Sequence, residues 1–169
     1  LQAVCLSEDG SYESAAKSFE RLISIEPDFP GAHGNYAVLL TRLNRRSEAY
    51  AAFELAVTAP DVDANCFLNF AMMLEEDKQE ARAYEFYCHA FELEESSAVC
   101  GGLARQAMRL NKNAEVAELF AGLTSRQPAL PFAWFYLGQV LVEDSQAAAA
   151  RRAMEQYLSL DPEDKLGSQ

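Results

Sequence analysis

Residues 134–141, WFYLGQVL, place a glycine directly after a run of aromatic and aliphatic residues that is apolar enough for a buried helix. Glycine in a helix interior is less favourable than alanine by up to about 1 kcal/mol, so Gly138 needs a reason. The reason is a column of small residues that recurs along the chain at spacings of 34, 34, 33 and 34: Ala3, Ala37, Ala71, Ala104 and Gly138. This column predicts a close approach of two helices at each of its positions.

Three further columns keep the same spacing. Three residues after the small column comes an aliphatic column of Leu6, Leu40, Leu74, Ala107 and Leu141. Later in each copy come a large column, Phe19, Phe53, Tyr87, Phe120 and Met154, and, four residues before it, a second small column, Ala15, Ala49, Ala83, Val116 and Ala150. Apolar spacings of i, i+3, i+4 and i+7 indicate two amphipathic helices in each copy. Because one helical hairpin cannot bury its apolar face alone, neighbouring copies must stack, which predicts an all-α solenoid.

The last copy resembles the tetratricopeptide repeat. The signature of that family is matched by Trp134, Leu137, Gly138, Leu141, Ala150, Met154 and Pro162, with leucine and methionine in place of its tyrosine and phenylalanine. The resemblance covers essentially the whole chain and implies a right-handed α-solenoid of helix-turn-helix repeats. We expect residues 1–169 to form a single array, with a partial copy at 1–29 and further copies at 30–63, 64–96, 97–130 and 131–164.

The copy at 97–130 departs most from the pattern. Gly101 and Gly102 stand side by side within its first helix, and the preceding copy is one residue short. We expect either a helix that starts late or a local change in superhelical twist. A phosphate-binding loop is not expected, since no P-loop or dinucleotide-binding glycine motif surrounds the pair.

Composition narrows the classes of partner. Half of the 169 residues are hydrophobic, which argues against disorder, and the formal net charge is −12. This charge repels phosphate backbones, so neither nucleic-acid binding nor the RNA-reading role of similar pentatricopeptide repeats is expected, whereas a basic partner would be attracted. No apolar run approaches the roughly 20 residues of a membrane span.

Few residues suggest catalysis. The four cysteines are far apart, and we interpret them as small buried hydrophobic residues. His33 falls in a packing column, and the adjacent Cys88 and His89 point about 100° apart on a helix, which suits no shared metal ion. We therefore expect no enzyme activity, no metal and no cofactor.

The resemblance also implies where a partner would bind. In tetratricopeptide proteins the first helix of each copy lines a concave groove, and the corresponding residues are Asn35, Asn65, Asn69, Met72, Arg105, Arg109, Phe132, Phe135, Tyr136 and Gln139. Asn35 and Asn69 resemble the asparagine ladder with which some members, including the O-GlcNAc transferase array, grip a peptide. A carboxamide suits that role because it can donate to and accept from a peptide backbone at once. The basic residues of the clamp that binds acidic C-terminal tails are missing.

Other surfaces leave alternatives open. Phe135 and Tyr136 are either aromatic anchors for a partner or packing residues for a further helix or a second copy of the chain. The acidic run within 75–95 is either a solvated face, which we favour, or a surface for a basic partner. Because no polar capping helix follows 147–160, self-association through this C-terminal face is a further expectation.

These observations favour a protein–protein interaction scaffold or adaptor that binds a peptide or a partner domain in the concave groove. One alternative is the substrate-recruiting array of a larger enzyme, which the start at Leu1 and the absent capping helix favour. Another is a bacterial secretion or pilus-assembly factor. We expect a cytoplasmic location, or a periplasmic one under the last alternative.

Overall fold

The computed structural model describes residues 12–163, and within this range every regular element is an α-helix. In chain order the helices are α1 (Tyr12–Ile25), α2 (Ala32–Arg42), α3 (Arg46–Ala56), α4 (Ala64–Glu76), α5 (Glu80–Leu93), α6 (Ser97–Leu110), α7 (Asn113–Arg126), α8 (Pro131–Glu143) and α9 (Ala147–Leu160). They alternate with short turns, as the paired stripes of the sequence predict.

The chain divides into two compact units, with the boundary between Phe70 and Ala71, inside α4. In the first unit α2 packs on both α1 and α3. In the second unit each helix from α5 to α9 packs on the next, and α6 also contacts α8, the first helix of the following hairpin. Contact between successive first helices is what stacked hairpins require. The prediction of an all-α solenoid is confirmed.

The turn inside each hairpin has the same conformation in successive copies. Left-handed backbone angles occur at Asn44, Lys78, Asn111 and Ser145, with φ between 56° and 59°. The next residue donates its backbone N–H to the carbonyl of the aliphatic column five positions earlier, as in the 2.9 Å bond from Arg45 to Leu40 and the 2.8 Å bond from Lys112 to Ala107. This is the Schellman pattern, which ends a helix by satisfying its last carbonyls.

Two of the loops between hairpins are each held by a ring nitrogen. Trp134 Nε1 donates to the carbonyl oxygen of Pro128 at 2.9 Å. His33, in the same column of the repeat, has Nε2 3.2 Å from the carbonyl oxygen of Pro27, which can only accept a hydrogen bond. His33 is partly buried, as predicted, and the two contacts give the loops a common anchor on the first helix of the following copy.

The predicted columns form the core of the described residues. Phe53, Tyr87 and Phe120 of the large column are at most 1% exposed, and Phe53 stacks on Phe70 with ring centroids 5.1 Å apart. Gly138 is buried, and a Cβ there would lie 2.7 Å from Cε of Met154. The small residue therefore admits a side chain of α9 against α8, as the column predicted. Ala3 and Leu6 lie outside the described residues.

The glycine pair accommodates two tyrosine rings. A Cβ on Gly102 would lie 2.1 Å from Cε1 of Tyr87, and one on Gly101 would lie 2.7 Å from the hydroxyl oxygen of Tyr136. Of the two alternatives, the late helix start is excluded, because α6 begins at Ser97, where Ser96 caps it by accepting from the backbone N–H of Val99 at 3.5 Å. The change in superhelical twist stays a prediction. Burial of α6 against the two tyrosine rings offsets the loss of helix propensity at the two glycines.

A core position of α6 is occupied by a polar residue. Gln106 is fully buried, and neither its amide nitrogen nor its amide oxygen has a hydrogen-bond partner among residues 12–163. At spacings of 34, 33 and 34 it shares a repeat position with Leu39, Met73 and Val140, which are all buried and apolar. A buried amide without a hydrogen-bond partner costs free energy. The fold is therefore less stable than it would be with an apolar residue at this position, as in the other copies.

Candidate functional site

The first unit contains a cavity of about 930 Å³ that we call the asparagine cavity. Its walls come from α2, from the start of α4, from the ends of α1 and α3, and from the two loops that follow them. Asn35, Asn65 and Asn69, all predicted from the sequence, line it together. A cavity of this size is within the range of small-ligand and peptide side-chain pockets.

Two of these amides are oriented by their own helices. Asn35 Nδ2 donates to the carbonyl oxygen of Gly31 at 3.0 Å, and Asn69 Nδ2 donates to the carbonyl oxygen of Asn65 at 2.8 Å. Each bond spans four residues and uses one N–H of the carboxamide. A carboxamide has two N–H groups and an acceptor oxygen, so each side chain keeps a donor and an acceptor for a ligand.

Apolar side chains face the same cavity. Phe29 and Leu55 are 42% and 57% exposed, although large apolar side chains are usually buried. They lie among other apolar lining residues, namely Ile23, Val38, Pro60 and Val62. Exposed apolar groups beside oriented amides are typical of a surface that binds another molecule.

Cys66 contributes a buried thiol to the wall. Its backbone N–H donates to Asp63 Oδ1 at 2.8 Å, which caps α4, and Gly34 leaves room for its sulfur, since a Cβ there would lie 3.3 Å from Sγ. Burial, with a smaller contribution from Asp63, raises the pKa of the Cys66 thiol to about 11. The thiol is therefore protonated at neutral pH and unreactive.

The predicted arginines lie in the second unit and pair with a carboxylate. Arg105 donates to Glu75 through Nε and Nη2, both at 3.1 Å, and Arg109 Nη1 lies 3.7 Å from Glu75 Oε1. The Tyr87 hydroxyl donates to Glu75 Oε2 at 2.7 Å. Burial acts to raise the pKa of Glu75, but the hydrogen bonds from Arg105 and Tyr87 and the charges of both arginines outweigh it and lower the pKa.

This network changes the interpretation of two sequence features. Arg105 and Arg109 remain about half exposed, but their charge is shared with Glu75, so they do not present an unpaired basic surface. Glu75 and Glu95 of the acidic run take part in ion pairs, the latter with Arg126. At these positions the run is a part of the packing rather than a solvated face.

The remaining candidates of the second unit are spread over α4 and α8. Phe132, Phe135, Tyr136 and Gln139 are partly buried, and Met72 is 47% exposed. The Phe135 ring lies 5.1 Å from that of Tyr157 and 5.2 Å from that of Tyr136, both edge-on. The two rings thus have packing partners inside the unit, and their role as anchors for a partner stays a prediction.

The sequence reasoning missed the loop residues of the cavity, Asp28, Phe29, Asp61 and Asp63, and also Leu55. A signal existed for the loops, because Pro27, Pro30 and Pro60 mark a break between copies and an exposed loop is a common place for binding residues. Leu55 carries no such signal, since an apolar residue on α3 is indistinguishable by pattern from a core residue.

Within residues 12–163 we find neither a candidate metal-binding cluster nor a candidate membrane-spanning helix. No group of three or more His, Cys, Asp and Glu side chains is arranged to hold a metal ion. No helix in this range combines the length and the apolar character that crossing a membrane demands.

Comparison with known proteins agrees with the fold. Two models of the tetratricopeptide repeat match residues 6–65 and 102–165. No curated protein sequence matches the chain significantly. One similar solved structure is that of YrrB, which is described as a TPR protein with an unusual peptide-binding site. Its TM-score is 0.73 at 18% identity, and the match covers 96% of this chain and 84% of the YrrB chain.

Two further solved structures are similar. MamA has a TM-score of 0.74 at 10% identity, over 95% of both chains. The pilF protein of Pseudomonas aeruginosa has a TM-score of 0.67 at 20% identity, over 94% of this chain and 73% of its own. At such identities the likeness is one of fold. The repeat spacing, the stacked hairpins and the family matches together show that the chain belongs to the tetratricopeptide repeat family and is a protein-interaction repeat module.

Proposed function

We propose that the chain is a non-catalytic scaffold or adaptor that binds an extended peptide segment of a partner protein in the asparagine cavity. The observation that carries this proposal is the convergence of Asn35, Asn65 and Asn69 with exposed apolar side chains on one cavity of about 930 Å³. The oriented amides would bond to the peptide backbone, and Phe29 and Leu55 would contact its side chains.

The geometry suits an extended segment better than a helix or a folded domain. The two amides of Asn35 and Asn69 sit on different helices, α2 and α4, and each is fixed by an intrahelical bond. An extended peptide exposes its backbone N–H and C=O groups, whereas a helix has consumed most of them internally. Fixed amides also lose little side-chain entropy on binding, which favours affinity.

The test begins with linear peptides selected from a phage-displayed random library on the full chain. Their affinities are then measured by fluorescence anisotropy for the wild type and for Asn35→Ala/Asn69→Ala. Each lost hydrogen bond is worth about 0.5–1.5 kcal/mol, so the double variant should bind at least about fivefold more weakly. Both positions are helical and alanine favours helix, so the variant should keep its fold, which thermal unfolding checks.

Two controls sharpen this experiment. Gln156→Ala removes an exposed amide from α9, outside the cavity, and should leave peptide affinity unchanged. Leu55→Ala removes an exposed apolar contact and should weaken binding without lowering stability. If the asparagine double variant binds the selected peptides as tightly as the wild type, the cavity is not the peptide site.

The wider setting is also a proposal. A cytoplasmic adaptor is the simplest role for this module, and recruitment of substrates to a larger enzyme or service in a secretion or pilus-assembly machine are the alternatives. Identification of the partner segment that carries the selected peptide motif would decide between them.

A further inference from the structure

We propose that the asparagine cavity selects a segment in which a lysine or arginine side chain stands beside an apolar one. This specificity rests on the peptide-binding function proposed above and adds the chemistry of the partner. Its basis is the charge of the cavity wall, the fixed loops that hold this charge, and the apolar side chains next to it.

The charged groups of the wall have one sign. Asp28, Asp61 and Asp63 line the cavity, all three are exposed, and the described lining residues include no lysine or arginine. The whole chain adds a long-range contribution of the same sign, with a net charge of −12. Carboxylates in a concave site of low polarity attract a cation and repel an acidic segment more strongly than the same groups on a convex surface.

Backbone hydrogen bonds fix the loops that carry these carboxylates. In the first loop the N–H of Phe29 donates to the carbonyl of Glu26 at 3.1 Å, and the Pro27 carbonyl lies 3.2 Å from the His33 ring. In the second loop the N–H of Val62 donates to the carbonyl of Ala59 at 3.3 Å. A carboxylate on a fixed loop pays little ordering cost when it pairs with a ligand.

The apolar neighbours favour a long basic side chain over a small cation. Phe29 follows Asp28 directly in the chain, and Leu55 lines the same cavity; both have more than a third of their surface exposed. Lysine and arginine pack their aliphatic stems along apolar surface while the charged end reaches a carboxylate. An adjacent apolar residue of the bound segment would cover the part of the Phe29 and Leu55 surface that the aliphatic stem leaves exposed.

The experiment uses the peptides selected on the full chain and versions of them in which each lysine or arginine is replaced by glutamine. Affinities are compared for the wild type, for Asp28→Asn/Asp61→Asn and for Glu118→Gln/Glu143→Gln. The last variant makes the same change in net charge with exposed residues of α7 and α8, outside the cavity. Asp63 is left intact because it caps α4.

We expect enrichment of lysine and arginine among the selected peptides, and a loss of about two- to fivefold in wild-type affinity for each one replaced. The aspartate variant should lose this preference, the glutamate variant should keep it, and added salt should reduce it. Equal affinity for the basic and the glutamine peptides would overturn the inference, as would an equal effect of the two charge variants.

The possible failures are distinguishable. Peptides that bind without a preference for basic residues, yet weaken with Asn35→Ala/Asn69→Ala, would refute only the charge specificity. Peptides insensitive to the asparagine variant would refute the proposed function, and the specificity with it. Sedimentation velocity supplies a further check. If the chain forms a dimer and the selected peptides dissociate it, the natural occupant of the cavity is a second copy of the chain.

Discussion

Gly102→Ala tests the packing of the second unit, because the added methyl carbon would lie 2.1 Å from Cε1 and 2.3 Å from Cζ of Tyr87. Non-bonded carbon atoms pack at about 3.5–4.0 Å, so the ring would have to move by about 1.5 Å. Tyr87 is fully buried, and its hydroxyl donates to Glu75 at 2.7 Å. The ring has no open space to enter and cannot withdraw without disturbing that bond.

The magnitude follows from these contacts. Overpacking a core costs about 1–3 kcal/mol, and loss of the bond to the charged Glu75 costs about 1.5–3 kcal/mol. Alanine returns up to about 1 kcal/mol through its helix propensity. We expect a net loss of about 2–5 kcal/mol in the free energy of unfolding, which lowers the thermal midpoint of a chain of this length by roughly 4–20 °C.

The assay is urea unfolding followed by circular dichroism, with two matched glycine variants as controls. Gly138→Ala meets the side chain of Met154, with Cε at 2.7 Å and Cγ and Sδ at 3.0 Å; because this side chain is flexible and partly exposed, we expect a change within about 1 kcal/mol. Gly122→Ala meets only the Arg126 guanidinium at 3.3 Å and should stabilise the chain by about 0.5–1 kcal/mol. The three substitutions are chemically identical, so differences among them report what lies above each glycine.

A double-mutant cycle assigns the effect to Tyr87. In a Tyr87→Leu background the ring is gone, so Gly102→Ala should cost far less than it does in the wild type. The reasoning is refuted if Gly102→Ala is as stable as Gly122→Ala. It is also refuted if the loss is undiminished in the Tyr87→Leu background.

Two further predictions concern the polar groups of the second unit. Gln106→Met removes a buried amide that lacks a partner among the described residues while keeping its shape, and it should raise the free energy of unfolding by about 1–3 kcal/mol, measured in urea; a loss of stability would show that the amide is satisfied. The lowered pKa of Glu75 means that its ion pairs stabilise the fold above the unfolded-state value near 4.5 and that this stability is lost as the pH falls through the folded-state value. Thermal melts across this range should therefore show that Glu75→Gln is less stable than the wild type at pH 7 and that the difference shrinks in acid; a constant difference would contradict the assignment.

Much of the fold could be predicted from the sequence because the repeat is a local and periodic property. The spacing of the small columns located both helices of each hairpin, and the structure adds the turns that Asn44 and Ser145 close. A late start of α6 at Gly101 and Gly102 was considered because propensity alone cannot anticipate two tyrosine rings that approach from other helices. In the structure α6 starts at Ser97, and Ser96 caps it.

The candidate site could be predicted only in part. Asn35, Asn65 and Asn69 could be predicted from their positions in the repeat, and in the structure they line one cavity. Arg105 was predicted as a groove residue, but its pairing with Glu75, 30 positions earlier in the chain, was not predicted. A charge pattern read along one helix face does not reveal a partner on another helix.

By itself the sequence determined the helical period, the pairing of helices into hairpins and the sign of the charge, since each depends on residues close in the chain or on a simple count. Only the tertiary structure decided that Phe29 and Leu55 join the asparagines, that Tyr87 covers Gly102, and that Gln106 is buried with no hydrogen-bond partner in the part of the chain that the structure describes. These facts depend on which side chains meet when helices pack, and close packing selects a single arrangement from many that the same pattern allows.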